Sequence, residues 1–137
     1  MIPNQSIVDD IKDLMVKYPN LYKGGEVESG FYIGPGWLQL VDTLSAVLES
    51  EILDMPEDLR HGFYAVQVKQ KFGSLRFYLR NSTPFLEGSI RLAENLSHLI
   101  CEECGNPSKP RTPSVSHWIR ALCEVHAKEH EAWLHAK

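Results

Sequence analysis

Sulfur is scarce in this chain: there are three cysteines in 137 residues, an odd number. A small secreted domain stapled by disulfides carries a denser, even set, so the count points to a reducing compartment, with the cytoplasm as the expectation. No apolar run approaches the ~20 residues a helix needs to cross a bilayer, so no membrane partner is expected. Asp9 and Asp10 break the N-terminal stretch that would serve as the apolar part of a secretion signal. There is no G-x-S-x-G elbow and no phosphate-binding glycine loop, which removes two common catalytic and nucleotide-binding patterns. Gly34-Pro35-Gly36 is no substitute, because proline removes an amide donor and no clear strand precedes it; it reads as a helix start. Repeats and low-complexity segments are absent. Excess positive charge is missing too. The 14 Lys and Arg against 18 Asp and Glu give a net charge of −4, which argues against nonspecific nucleic-acid affinity.

What the sequence does have is concentrated between residues 101 and 127, in CEECGNPSKPRTPSVSHWIRALCEVHA. Cys101 and Cys104 form a C-x2-C, and Cys123 with His126 forms a C-x2-H. Thiolate and imidazole are the donors a tetrahedral Zn²⁺ prefers, and two chelating pairs joined by a loop are how small proteins assemble such a site. Zn²⁺ held by Cys101, Cys104, Cys123 and His126 is therefore the expected cofactor. Gly105 suits a tight turn that aims amides at the sulfur, and Asn106-Pro107 continues the turn. The second pair is expected on the first turn of a helix running from about Ala121, whose N-terminus stabilises thiolate charge. Knuckle, loop and helix-borne pair together predict a treble-clef or zinc-ribbon-like unit.

The rest of the chain reads as helices around a small sheet. Ile7, Ile11, Leu14, Met15 and Tyr18 form a helical stripe behind a Ser6-x-x-Asp9 start, and Pro19 stops it. Residues 20–36 make a long glycine-rich loop with a short extended piece at 31–33. A second helix from Trp37 carries Leu40, Val41, Leu44, Val47, Leu48 and Ile52 inward, and Met55-Pro56 ends it. Residues 63–71 and 74–80 alternate as two strands around a Phe72-Gly73 turn. The predicted inner rows are Tyr64, Val66, Val68 and Leu75, Phe77, Leu79. Thr83-Pro84 caps a third helix, for which Leu86, Ile90, Leu92, Ala93, Leu96, Leu99 and Ile100 give a broad buried face. The expected fold class is α+β, with helices packed on a small antiparallel hairpin. Its division is a core at 1–100 and a zinc-binding unit with a C-terminal helix at 101–137.

Charge is unevenly spread. Residues 1–60 hold 11 acids against 4 Lys and Arg, whereas residues 61–137 hold 7 against 10. The outer rows of the hairpin account for much of the second half's surplus: Lys69, Lys71, Arg76 and Arg80, with Tyr78 among them. These five are the candidate partner-binding residues. An acidic protein surface is the preferred partner; nucleic acid is the alternative, but four cations neutralise only about four phosphates and bind weakly. The competing reading is a solvated sheet face. Catalysis is not expected. His117 and His130 lie near the zinc pairs, as a metal-dependent nuclease would need, but no accompanying base or second histidine is correctly spaced, and a histidine on a helix is commonly solvated. Four protein ligands also close a zinc coordination sphere.

GPGWLQLVDTL, KFGSLRFYL, CEECGNP and HWIRALCEVHA, in that order, resemble a group of small bacteriophage and prophage proteins. Those share a Gly-Trp helix start, a KFG-x-LRFY hairpin and a C-terminal Cys-x2-Cys…Trp…Cys-x2-His. The resemblance covers roughly the last hundred residues. It implies a phage-type accessory protein with a structural metal and no assigned chemistry. The expected function is that of a non-enzymatic, zinc-stabilised binding protein acting on a host or phage macromolecule in the host cytoplasm, inhibition of a host defence complex being one concrete form.

Overall fold

The computed structural model describes residues 5–137. Helix α1 (Gln5–Lys17) buries Ile7, Leu14 and Met15, and Ser6 lies inside it rather than ahead of it. Pro19 disfavours helical geometry in the residue before it, so the helix stops at Lys17. The chain then turns through a segment held by a buried carboxylate. Glu49, in α2 (Leu38–Leu53), accepts the Asn20 amide at 2.8 Å and the Leu21 amide at 3.0 Å. Tyr22, fully buried beside it, shares a 2.6 Å hydrogen bond with Ser45. A buried charge is tolerated here because it replaces water with backbone donors that would otherwise be orphaned.

The sheet has three strands, ordered β1 (Phe31–Tyr32), β2 (Ala65–Lys71), β3 (Ser74–Leu79). The β2–β3 hairpin is antiparallel as expected, while β1 adds a parallel strand, pairing Phe31 with Val68 and Tyr32 with Lys69. Its turn places Phe72 at φ 54° and Gly73 at φ 76°. That two-residue geometry matches the twist of the flanking strands. The predicted alternation on β2 needs one correction. Ala65, expected on the outer face, is buried, because the register slips between Ala65 and Gln67. Val66 is the extra residue of a bulge, and its carbonyl accepts from the Ser29 amide.

Short α3 (Glu57–Arg60) follows α2, and α4 (Pro84–Ser97) starts as expected, with Thr83 Oγ1 accepting the Leu86 amide at 3.2 Å. Helix α4 also covers the free edge of β3. Ser97 Oγ takes the Leu75 amide at 2.9 Å, and Glu94 takes the Phe77 amide at 3.1 Å. Burial raises the Glu94 carboxyl above its usual range. The broad apolar face expected of this helix is narrower in fact. Leu86, Ile90 and Ala93 are buried, whereas Leu92, Leu96 and Leu99 are exposed. The helix lies across the edge of β3 and the flank of α2, so a single line of side chains meets the core. In α2, Val47 is likewise exposed.

After α4 the chain makes a small second sheet, β4 (Lys109–Arg111) with β5 (Arg120–Leu122), and ends in α5 (Glu124–His135). The segment expected as a bare loop thus carries a hairpin. Ala121, expected in the last helix, sits in β5 and joins the main core cluster.

Candidate metal centre

Each of the four sequence-predicted ligands is positioned by local backbone chemistry. Cys101 leaves the end of α4 through an Ile100–Pro107 bridge, and its amide bonds the Asn106 carbonyl at 2.8 Å. Gly105 closes the knuckle at φ 81°, a left-handed conformation that penalises any Cβ, and its amide returns to Cys101 O at 2.8 Å. On the opposite side, Cys123 is the N-cap of α5, one residue before the helix rather than within it. Its sulfur accepts the His126 amide at 3.5 Å, and that amide holds the Cys123 thiol below its ordinary pKa. His126 sits on the first turn, as the C-x2-H spacing requires.

The four donor atoms all lie within 4.8 Å of one another. Cys104 Sγ and Cys123 Sγ are 3.8 Å apart, Cys101 Sγ is 3.7 Å from His126 Nδ1, and Cys123 Sγ is 3.2 Å from the same nitrogen. A tetrahedral ion with bonds of about 2.3 Å to sulfur separates two sulfurs by roughly 3.8 Å, so the cage has the size of a metal site. The second ring nitrogen of His126 faces the Glu129 carboxylate at 3.8 Å, the outer contact that commonly orients a ligating imidazole. These residues can hold a metal ion, and the donor set of three thiols and one imidazole fits that role.

Two features that brace the knuckle were missed by sequence reasoning. Gly34-Pro35-Gly36 is more than a helix start, because it is the plate against which the knuckle is pressed. A Cβ on Gly36 would lie 2.0 Å from Cys101 O and 2.5 Å from Gly105 N; one on Gly34 would lie 2.2 Å from Glu102 O. The Gly36 amide bonds Glu102 O at 2.8 Å, and the fully buried Trp37 donates its indole N–H to Ile100 O at 2.8 Å. The second brace is Arg120, which donates to both Glu102 and Glu103, the acids between the first two cysteines. Burial raises the Glu102 carboxyl, and Arg120 opposes that shift. Two adjacent acids inside a C-E-E-C were the available signal that a cation had to come from elsewhere in the chain.

The two histidines weighed for catalysis are placed differently from each other. His117 is exposed. His130 is not solvated as expected: it is 8% exposed, edge-on to Trp118 at 5.0 Å and stacked with Trp133 at 6.2 Å. It is not part of the metal cluster. Its Nε2 has no hydrogen-bond partner, and burial lowers its pKa.

On the sheet, the register pairs Lys69 with Arg76 and Gln67 with Tyr78, so Lys69, Lys71, Arg76 and Tyr78 share the outer face. Arg80 lies just past the end of β3 and is exposed. Pairing of β1 adds Tyr32, which the sequence reading left out, to the row of Lys69 and Arg76. Tyr32 is 65% exposed and Tyr78 42%. Arg76 is the least free of the cations: it lies near Glu94, and its Nε is buried without a partner.

Together the fold and site define an α+β protein with a Cys3His cluster toward its C-terminus. No protein-family model, curated protein or solved structure matches the chain.

Proposed function

We propose that this chain is a non-enzymatic binding protein, stabilised by a structural zinc ion, that meets a macromolecular partner through the outer face of its three-stranded sheet. Zinc is favoured because three thiolates and an imidazole at tetrahedral separations suit its borderline-soft chemistry. A knuckle, a short hairpin and a helix that starts at the second ligand pair give this unit a treble-clef-like form. Four protein ligands leave no open position for a substrate or an activated water, and His130 is packed against two indoles.

The observation that carries the binding reading is the cross-strand row Tyr32–Lys69–Arg76, flanked by Tyr78. Exposed aromatics among cations on an open face are contact chemistry. An acidic protein surface is preferred, since a chain of net charge −4 repels a polyanion at long range. The resemblance to small phage and prophage proteins favours a partner in an infected bacterium, with a host defence complex as one concrete form. Single-stranded nucleic acid is the second reading, favoured by the two tyrosines available for stacking. The test is the double reversal Lys69→Glu with Arg76→Glu, in purified protein carrying one zinc per chain. The expected result is slower association with a protein partner and no binding of random duplex DNA or single-stranded RNA at physiological salt by either form. Sub-micromolar nucleic-acid binding by the wild type, lost in the double variant, would replace the first reading by the second.

A further inference from the structure

We propose that a small pocket between the end of α1 and α3, away from the metal cluster, is an anion site that takes a phosphoryl group. The pocket encloses about 240 Å³ and is lined by Pro19, Asn20, Lys23, Gly24, Arg60 and His61. Its charge is out of character with its surroundings. Residues 1–60 contain only four Lys and Arg: Lys12, Lys17, Lys23 and Arg60. Lys17 is paired with Asp42. Two of the other three converge here, beside His61, and no carboxylate lines the pocket. Among the described residues, neither Lys23 nor Arg60 has an acid within ion-pair distance.

The two cations are held in place without being neutralised. Lys23 Nζ donates to the His61 carbonyl and lies 4.5 Å from the centre of the Tyr64 ring. Arg60 Nη2 donates to Met55 O at 3.1 Å, while its Nε is buried with no partner. The rim is tied to α2 as well. The Glu49 carboxylate grips the amides of Asn20 and Leu21, and the Asn20 side chain at 3.0 Å. Gly24 and Gly25 turn at φ 66° and 76°, and a Cβ on either would meet nothing within 4 Å, so the turn leaves its outer side open. The large cleft between β4 and α5 offers a contrast. Its lining mixes signs, and Lys128 there is paired with Glu124 at 3.4 Å.

Two cations with no acid within ion-pair distance are balanced by a dianion, since the carboxylate that meets the rim, Glu49, is taken up by the Asn20 and Leu21 amides. A phosphate monoester or inorganic phosphate supplies that charge; a carboxylate would balance one cation only.

The experiment is a titration of the full chain with inorganic phosphate at constant ionic strength, following the backbone amide resonances of Gly24 and Gly25. The expected result is a saturable shift with a dissociation constant on the order of 1 mM or tighter. Arg60→Gln and Lys23→Gln should each weaken binding at least tenfold, with resonances of the sheet unchanged. Should Arg60→Gln fail to fold, Lys23→Gln alone decides the matter. Phenyl phosphate is titrated alongside: saturation by both compounds identifies a monoester site, and saturation by inorganic phosphate alone identifies a site for the free ion. Shifts that grow linearly and match those in chloride, equal binding of acetate, or unaltered affinity in Lys23→Gln would each overturn the proposal.

Discussion

Residues 5–100 and 101–137 reach order by different means. The first region has an apolar interior in which Trp37, Leu48, Ile52, Val68, Leu75 and Leu86 are almost wholly out of water. It needs polar groups only to finish what packing begins, as Glu49 does for the turn after α1. The second has a satellite cluster of Cys101, Leu122 and Cys123, with Ala127 packed against it. What joins its knuckle, hairpin and helix is four ligand atoms, an arginine gripping two glutamates, the Trp118–His130–Trp133 rings, and one strand residue, Ala121, lent to the main core. A segment of that size cannot bury enough apolar surface to offset its own ordering entropy. The comparison teaches that a cluster of side chains able to hold a metal gathers where the segment is too short to build a core.

The largest expected effect breaks the comparison on the metal side. Cys104→Ser removes one donor of the Cys3His cluster, and a structural zinc bound by such a set typically contributes on the order of 10 kcal/mol. Hydrogen exchange should then show protection lost across residues 101–137, while the amides of α1, α2 and the sheet stay protected. Metal analysis that finds no zinc in the wild-type protein, with all three thiols titrating freely, would remove the premise.

A smaller effect tests the joint between the regions. Gly36→Ala drives a methyl group into the Cys101 carbonyl and the Gly105 amide, both backbone atoms that cannot rotate away. The expected loss is about 2–4 kcal/mol by denaturant unfolding, with weaker metal retention in a chelator competition. Unchanged values for both would show that the knuckle does not lean on the Gly-Pro-Gly segment.

The smallest concerns the aromatic side of α5. Burial holds the His130 pKa below the ordinary 6.5, and the nearby Arg120 charge acts in the same direction, against Glu131 and Glu103. A lowered folded pKa means the unfolded chain binds the proton first, so stability falls as pH drops from about 6.5 through the folded value. His130→Phe keeps a ring against Trp118 and Trp133 and removes the titration. The difference in stability between variant and wild type should grow in the variant's favour by up to about 1 kcal/mol between pH 7.5 and 6. A constant difference across that range would place the titration elsewhere.

Much of this was legible in the sequence because it is local. Helix stripes, the Thr83-Pro84 start, the Phe72-Gly73 turn and the C-x2-C and C-x2-H spacings each depend on neighbours within a few residues, where covalent geometry dictates which side chains meet. The ligand set follows for the same reason, since each pair is its own chelate and only the joining of the two pairs is long-range.

What the tertiary structure alone decided lies between distant segments. The bulge at Val66 swaps Ala65 to the inside, and Ser29, in the turn just before edge strand β1, donates its amide to the freed carbonyl. The same strand adds Tyr32 to the basic row. Gly36 reads as a helix start until its Cα is seen against the knuckle. His130 reads as a surface histidine until Trp118 and Trp133 close around it, and α4 reads as broadly buried until its neighbours prove to cover one line only. In every case the sequence states a residue's preference but not which distant surface arrives beside it, and burial is a property of both.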